Sequence, residues 1–177
     1  MKKEVICWLP LLPLAGVVLA LRLGSEEGIS LLLWELLLAF GYGAALWDLR
    51  QKRVPNQLVA GMLGAWVLVL VPQLFFQTEL ALVALISGGV GFLLAGGVFL
   101  VVYLISRKGL GGGDVKFMAV AGLYLGAGNV LPAMLYGCVL SAITGLVLLA
   151  LKRIGRRDTI PLVPFLYVGM VLTMVFQ

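Results

Sequence analysis

The acidic side chains are the main candidates for chemistry in this sequence of 177 residues, which contains eight Asp and Glu residues and no histidine. Without histidine, a Ser-His-Asp triad, a Cys-His dyad, an HExxH zinc helix and a histidine proton relay are all excluded. Cys7 and Cys138 lie in separate apolar stretches and indicate neither a zinc site nor a redox motif. An enzyme built on this chain would therefore use carboxylates, lysines, tyrosines or a bound cofactor.

Two of the eight acids, Asp48 and Asp114, stand at the ends of long apolar segments and on the same predicted side of a membrane. Glu35 lies inside an apolar segment, where it could extend outwards or pair with a neighbouring helix. The remaining acids fall in predicted loops or at helix ends, where solvated surface explains them: Glu4, Glu26, Glu27, Glu79 and Asp158.

The composition predicts a membrane protein, because 62% of the residues are hydrophobic and 12% are charged, with a mean hydropathy of +1.12. A soluble domain has about 25% charged residues, and a helix that spans a bilayer needs about 20 apolar residues. The run Phe117–Leu151 is too long for one span, and the turn-forming residues from Gly126 to Pro132 divide it. We therefore predict an all-α bundle of seven transmembrane helices, at Val5–Leu23, Ser30–Trp47, Gln57–Phe76, Leu80–Ser106, two within Phe117–Leu151, and Thr159–Phe176.

The basic residues orient this bundle with its N-terminus in the cytoplasm. Lys and Arg concentrate in cytoplasmic loops, and this orientation leaves only Arg22 of the 13 basic residues outside. The segments assigned to the inside carry Lys2, Lys3, Arg50, Lys52, Arg53, Arg107, Lys108, Lys116, Lys152, Arg153, Arg156 and Arg157. The first segment could also be read as a signal peptide, but its apolar stretch is longer than a typical h-region, so we expect a retained helix.

Glycine is abundant within the predicted spans, with 23 residues in the whole chain. Small residues allow membrane helices to approach closely, so tight packing is the favoured interpretation. Hinges that open a lateral gate for a substrate helix are the alternative.

The surroundings of the two aspartates set them apart from ordinary caps and interfacial ion pairs. Taken singly, Asp114 could be the N-cap of the fifth span, and Asp48 could pair with the basic residues that follow it. However, Pro55 interrupts the chain six residues after Asp48, and Asn56 is a good N-cap for the next helix. The glycines at 111–113 also let another segment approach Asp114 closely, and a cation, Lys116, follows it.

Together these patterns resemble a known family. The D-x6-P-N element from Asp48 to Asn56, the G-x-G-D-x-K element from Gly111 to Lys116 and the Pro-x-x-Pro-Phe segment at 161–165 look like those of the type IV prepilin peptidases, which are membrane aspartic proteases of the GxGD type. The likeness covers about residues 30–176. It implies an additional transmembrane helix and outer loop at 1–28 and a peptidase membrane domain at 29–177.

The resemblance implies a catalytic pair, Asp48 and Asp114, that removes the short basic leader of prepilin-like proteins at the cytoplasmic face of the plasma (inner) membrane. The supporting motif residues would be Pro55, Asn56, Gly111, Gly113, Lys116, Pro161, Pro164 and Phe165. The implied partners are a prepilin or pseudopilin substrate and membrane lipid, with no nucleic acid, metal or cofactor. The cytoplasmic domain that bifunctional members carry is not seen here, so we expect the short, peptidase-only branch without N-methyltransferase activity.

Two nearby carboxylates can hydrolyse a peptide bond if one is ionised and the other protonated, and a weak preference falls on Asp114 as the ionised partner. The substrate helix is expected to enter laterally, with its cleavage site unwound near 111–113. The main alternative is a small transporter or scaffold that binds ions or substrates with the same acids. It predicts dependence on an ion gradient and acids nearer the bilayer midplane.

Overall fold

The computed structural model describes residues 28–106, 110–153, 155 and 160–176 of the chain. In this part all the regular structure is helical. The helices are α1 (Gly28–Gln51), α2 (Asn56–Phe76), α3 (Thr78–Ile105), α4 (Gly112–Ala150) and α5 (Val163–Phe176). Four of these described helices, α1 to α4, are long and apolar enough to cross a membrane, whereas α5 is shorter. The chain is therefore a multi-pass membrane protein built as a helical bundle.

The connections between the first three helices follow from local chain chemistry. Pro55 is extended (φ −70°, ψ 135°), which separates α1 from α2. A single residue, Gln77 (φ −142°, ψ 60°), separates α2 from α3, and its N–H donates to the carbonyl of Gln73. The Thr78 hydroxyl donates to the carbonyl of Leu74 at 2.9 Å, which satisfies a carbonyl at the end of α2.

Helix α4 consists of two segments that meet at Gly126, within the stretch from Gly126 to Pro132 where the sequence predicted a turn. Gly126 has φ 70° and ψ 178°, a conformation open almost only to glycine. Ser87 of α3 accepts the N–H of Ala127 at 3.1 Å and so satisfies a backbone donor at the break. Gly137 packs against Leu166 near the start of α5, which means that the second segment runs back towards the end of the bundle from which α4 began.

The first segment of α4 is the centre of the bundle, because nine consecutive residues from Phe117 to Leu125 are buried. Helix α3 packs against this segment, and α5 packs between α4 and α1. Glycine makes the closest approach: a Cβ on Gly91 would collide with the carbonyl oxygen of Gly122, and one on Gly169 with that of Ala133. These contacts agree with the packing interpretation of the glycines.

Several predicted boundaries were wrong. α1 continues past Trp47 to Gln51, α4 begins at Gly112 instead of Phe117, and α5 begins at Val163 instead of Thr159. Hydropathy misses the first turns of α4 because glycine and aspartate are not apolar, and it overextends α5 because Pro161 and Pro164 shape its start. The predicted first span, Val5–Leu23, lies outside the described residues.

Candidate active site

Asp48 lies in the last turn of α1 and is buried, with 4% of its surface exposed. Its Oδ2 accepts the backbone N–H of Val163, the first residue of α5, at 3.1 Å. The backbone of Leu162 makes a second hydrogen bond to the carboxylate, and the charge of Lys52 also acts on it. The carboxylate at the end of one helix therefore faces the N-terminus of another.

The Pro-x-x-Pro-Phe segment forms this N-terminus. The carbonyl of Leu162 accepts the N–H groups of Phe165 and Leu166, each at 3.1 Å, which starts the helix. Pro164 lies in the first helical turn, where a missing N–H costs no intrahelical hydrogen bond. Pro161 precedes the helix and is half-buried, as is Phe165.

Asp114 is the third residue of α4, so the alternative interpretation of Asp114 as a plain N-cap is wrong. The N-cap position is occupied by Gly111 (φ −77°, ψ 138°). Asp114 Oδ2 accepts the N–H of Gly111 at 3.3 Å, and the N–H of Asp114 donates to the Gly111 carbonyl at 3.1 Å. An acid at this third position reaches back to the N-cap backbone, and this contact holds the half-buried carboxylate at the start of the helix.

The glycines before Asp114 let the start of α4 pack against the loop that follows α1. A Cβ on Gly113 would lie 3.1 Å from the carbonyl oxygen of Val54 and 3.2 Å from its Cβ. A Cβ on Gly111 would lie 3.1 Å from Asp114 Oδ2. Both motif glycines therefore stand where a side chain would disturb the surroundings of Asp114.

Asn56 and Lys116 form a second link between these segments. Lys116 Nζ donates to Asn56 Oδ1 at 3.2 Å, so its ammonium group is directed at the start of α2. The sequence predicted Asn56 as the N-cap of α2, but Asn56 is the first residue of the helix. Pro55 occupies the N-cap position and makes no side-chain hydrogen bond there. The amide oxygen of Asn56 is used for Lys116 instead of for the backbone of its own helix.

These contacts bring all three sequence elements to one junction. Asp48 and Asp114 come from helices far apart in sequence, yet the charge of Asp48 acts directly on Asp114. The junction of α1, the 52–55 loop, α4 and α5 therefore holds two interacting carboxylates with backbone N–H donors on each. Such a pair can share a proton and act as a general acid and a general base.

Sequence reasoning missed the donors of Asp48, the backbone N–H groups of Leu162 and Val163, because main-chain groups carry no residue signal. It also missed Tyr167, whose ring packs edge-on against Tyr42 at 5.9 Å between centroids.

Among the described residues, Glu35 Oε1 and the Tyr167 hydroxyl are buried without a hydrogen-bond partner. Within the same residues, no three His, Cys, Asp or Glu side chains are grouped as a metal site would require.

Comparison with known proteins gives the family. The type IV leader peptidase family matches residues 35–146, a range that includes both Asp48 and Asp114. The chain belongs to this family. It is similar to the prepilin leader peptidase/N-methyltransferase of Xanthomonas campestris pv. campestris, with 30% identity over 123 residues that cover 69% of this chain and 42% of the relative.

A protein of the same name from Bacillus subtilis (strain 168) is 27% identical over 162 residues, which cover 86% of this chain and 60% of that protein. The chain thus spans about half the length of the curated relatives that it matches. No solved structure gives a significant match. The Pro-x-x-Pro-Phe segment at 161–165 lies beyond the range of the family match, although it supplies the donors to Asp48.

Proposed function

We propose that this chain is a membrane aspartic endopeptidase that removes the short basic leader of prepilin-like substrates through Asp48 and Asp114. The observation that carries the proposal is that both carboxylates lie at one junction of the bundle, Asp48 against the start of α5 and Asp114 beside the loop that follows α1. Membership of the leader peptidase family supports the same activity. The peptidase activity alone is proposed, without methyl transfer.

The chemistry requires the two carboxylates to differ in protonation. The ionised one takes a proton from water as the water oxygen bonds to the scissile carbonyl carbon. The protonated one hydrogen-bonds to the carbonyl oxygen as that oxygen gains negative charge. The carbon–nitrogen bond then breaks, and a proton passes to the leaving amine. This gives a free carboxylate on the leader and a free amine on the mature protein.

The proposed topology has seven spans, with the N-terminus and the catalytic junction at the cytoplasmic face of the plasma (inner) membrane. The end of α1 and the starts of α2, α4 and α5 meet at this junction, which supports the proposed topology. Arg50, Lys52, Arg53 and Lys116 lie near this junction and are exposed. Basic residues of this kind favour the cytoplasmic side and anionic lipid headgroups.

The substrate class follows from the same geometry. A prepilin or pseudopilin carries its basic leader just before an apolar helix, so its scissile bond would lie at the depth of Asp48 and Asp114. Gly111 and Gly112 are exposed beside Asp114, which leaves room for an extended substrate backbone. Lateral entry of the substrate helix from the bilayer is part of this proposal.

Cleavage by the purified chain tests the function. The chain would be reconstituted in phospholipid vesicles with a prepilin-type peptide that carries a basic leader and an apolar helix. Mass spectrometry of the products is expected to show one cleavage site, between the leader and the apolar helix, in vesicles without an ion gradient. Absence of cleavage, or cleavage only across an imposed gradient, would contradict the proposal and favour the transporter alternative.

A further inference from the structure

The two aspartates differ in what surrounds them. Asp48 accepts two backbone hydrogen bonds from the N-terminus of α5, one of them at 3.1 Å from Val163, and has Lys52 nearby. Asp114 accepts one backbone N–H, from Gly111 at 3.3 Å, and the charged group that acts on it is Asp48. The donors and the positive charge are therefore concentrated on Asp48.

Burial opposes a charge on Asp48, of which 4% is exposed, whereas its hydrogen bonds and its neighbouring cation favour one. Hydrogen bonds donated to a carboxylate stabilise its ionised form, as do a nearby cation and the positive end of a helix dipole. Once Asp48 carries the charge, a second negative charge at Asp114 is disfavoured because like charges repel. Asp114 also lies at a helix N-terminus, which favours its ionised form. The negative charge of Asp48 opposes that effect.

We propose that Asp48 is the ionised carboxylate that deprotonates the attacking water and that Asp114 is the protonated acid. This assignment rests on the proposed function, and it reverses the weak preference drawn from the sequence. The start of α5 acts as the positioning element, since its main-chain N–H groups hold the Asp48 carboxylate. The groups that act on Asp48 are Lys52 in the loop after α1, Asp114 on α4 and the backbone N–H groups at the start of α5.

Removal of one donor tests the assignment. Val163→Pro deletes the N–H that donates to Asp48 Oδ2, and proline is well tolerated at the first position of a helix. Val163→Ala is the matched control, because it shortens the buried side chain and keeps the N–H. The readout is the pH profile of peptide cleavage for the wild type and both variants.

The assignment predicts which limb of the profile moves. With one donor fewer, Asp48 ionises only at higher pH, so the acidic limb of Val163→Pro shifts upwards by about one pH unit, the order expected for a hydrogen bond to a charged group. The alkaline limb, set by the loss of the Asp114 proton, stays in place. Val163→Ala keeps both limbs within experimental error of the wild type.

A second pair of variants gives an independent answer if Val163→Pro does not fold. Lys52→Asn removes the cation near Asp48, and asparagine tolerates the left-handed backbone found at this position (φ 51°). The acidic limb is expected to shift in the same direction by a smaller amount, because Lys52 is exposed to solvent. Lys52→Arg keeps the charge and the wild-type profile.

An upward shift of the alkaline limb in Val163→Pro or Lys52→Asn would overturn the assignment, since it would mean that Asp48 is the protonated partner. Unchanged limbs in both variants would also overturn it. These outcomes differ from a failure of the proposed function, in which the wild type itself would not cleave the peptide at any pH.

Discussion

At the residue scale, the three glycines before Asp114 have different surroundings. A Cβ on Gly113 would lie 3.1 Å from the backbone oxygen of Val54, whereas a Cβ on Gly112 would meet no atom within 4 Å. The spacing of the motif thus reflects a close contact at one glycine and open space at its neighbour.

This difference predicts opposite outcomes for two similar variants. Gly113→Ala should push the start of α4 away from the loop after α1, lower stability by about 1–3 kcal/mol and reduce peptide cleavage at least tenfold. Gly112→Ala is the control and should retain wild-type stability and activity. Thermal unfolding in detergent and cleavage rates measure both effects. Equal behaviour of the two variants would contradict the proposed contact.

At the same scale, the sequence was sufficient to find the two aspartates but not their donors. Asp48 and Asp114 were identifiable because acids are rare in this chain and both adjoin apolar segments. The N–H of Val163 was not identifiable, because any non-proline residue at the start of α5 supplies the same donor. Asn56 was assigned as an N-cap from its type alone, and its link to Lys116 depends on tertiary packing.

At the element scale, the break in α4 determines how the chain returns towards the junction. Gly126 supplies a backbone conformation that other residues adopt only under strain. The Ser87 hydroxyl oxygen accepts a hydrogen bond from the N–H of Ala127, the residue that follows. Glycine and proline in the sequence predicted a division in this region. They did not predict that the break would be confined to Gly126, because Gly128 and Pro132 are accommodated within the second helical segment.

The break gives a prediction for stability. Gly126→Ala should destabilise the protein by about 1–3 kcal/mol, because alanine is strained at φ 70°. A Cβ there would also lie 2.5 Å from the Ser87 hydroxyl oxygen. Gly128→Ala meets no atom within 4 Å and should be neutral or slightly stabilising. Thermal unfolding of the two variants checks this, and a Gly126→Ala protein as stable as Gly128→Ala would contradict it.

Helix existence was easier to predict than helix boundaries for a physical reason. These helices are apolar on all sides, so neither periodicity nor a polar face marks where a turn begins or ends. Hydropathy therefore located the segments, but the uncharged run that it marks begins only at Phe117, after the first turn of α4. The correct start, at Gly112, puts Asp114 inside the first turn, where it reaches back to Gly111.

At the scale of the whole molecule, the distribution of charge sets the proposed orientation. In a chain whose native cysteines are replaced by serine, Arg53→Cys should react with a membrane-impermeant maleimide only after the membrane is disrupted. Gln77→Cys, at the turn between α2 and α3, should react in intact cells. Both positions are exposed, so accessibility within the fold does not separate them. The reverse labelling pattern would place the junction on the outer face.

The central claim is that Asp48 and Asp114 act as one catalytic pair, and the rates of three variants test it most directly. Asp48→Asn and Asp114→Asn should each reduce cleavage of the prepilin-type peptide by at least about 10³-fold, within the range of general acid–base catalysis. The double variant should lose little more, because either substitution already disables the pair. Glu79→Gln, at the first turn of α3, is the control and should keep the wild-type rate. Wild-type cleavage by either single aspartate variant would contradict the claim.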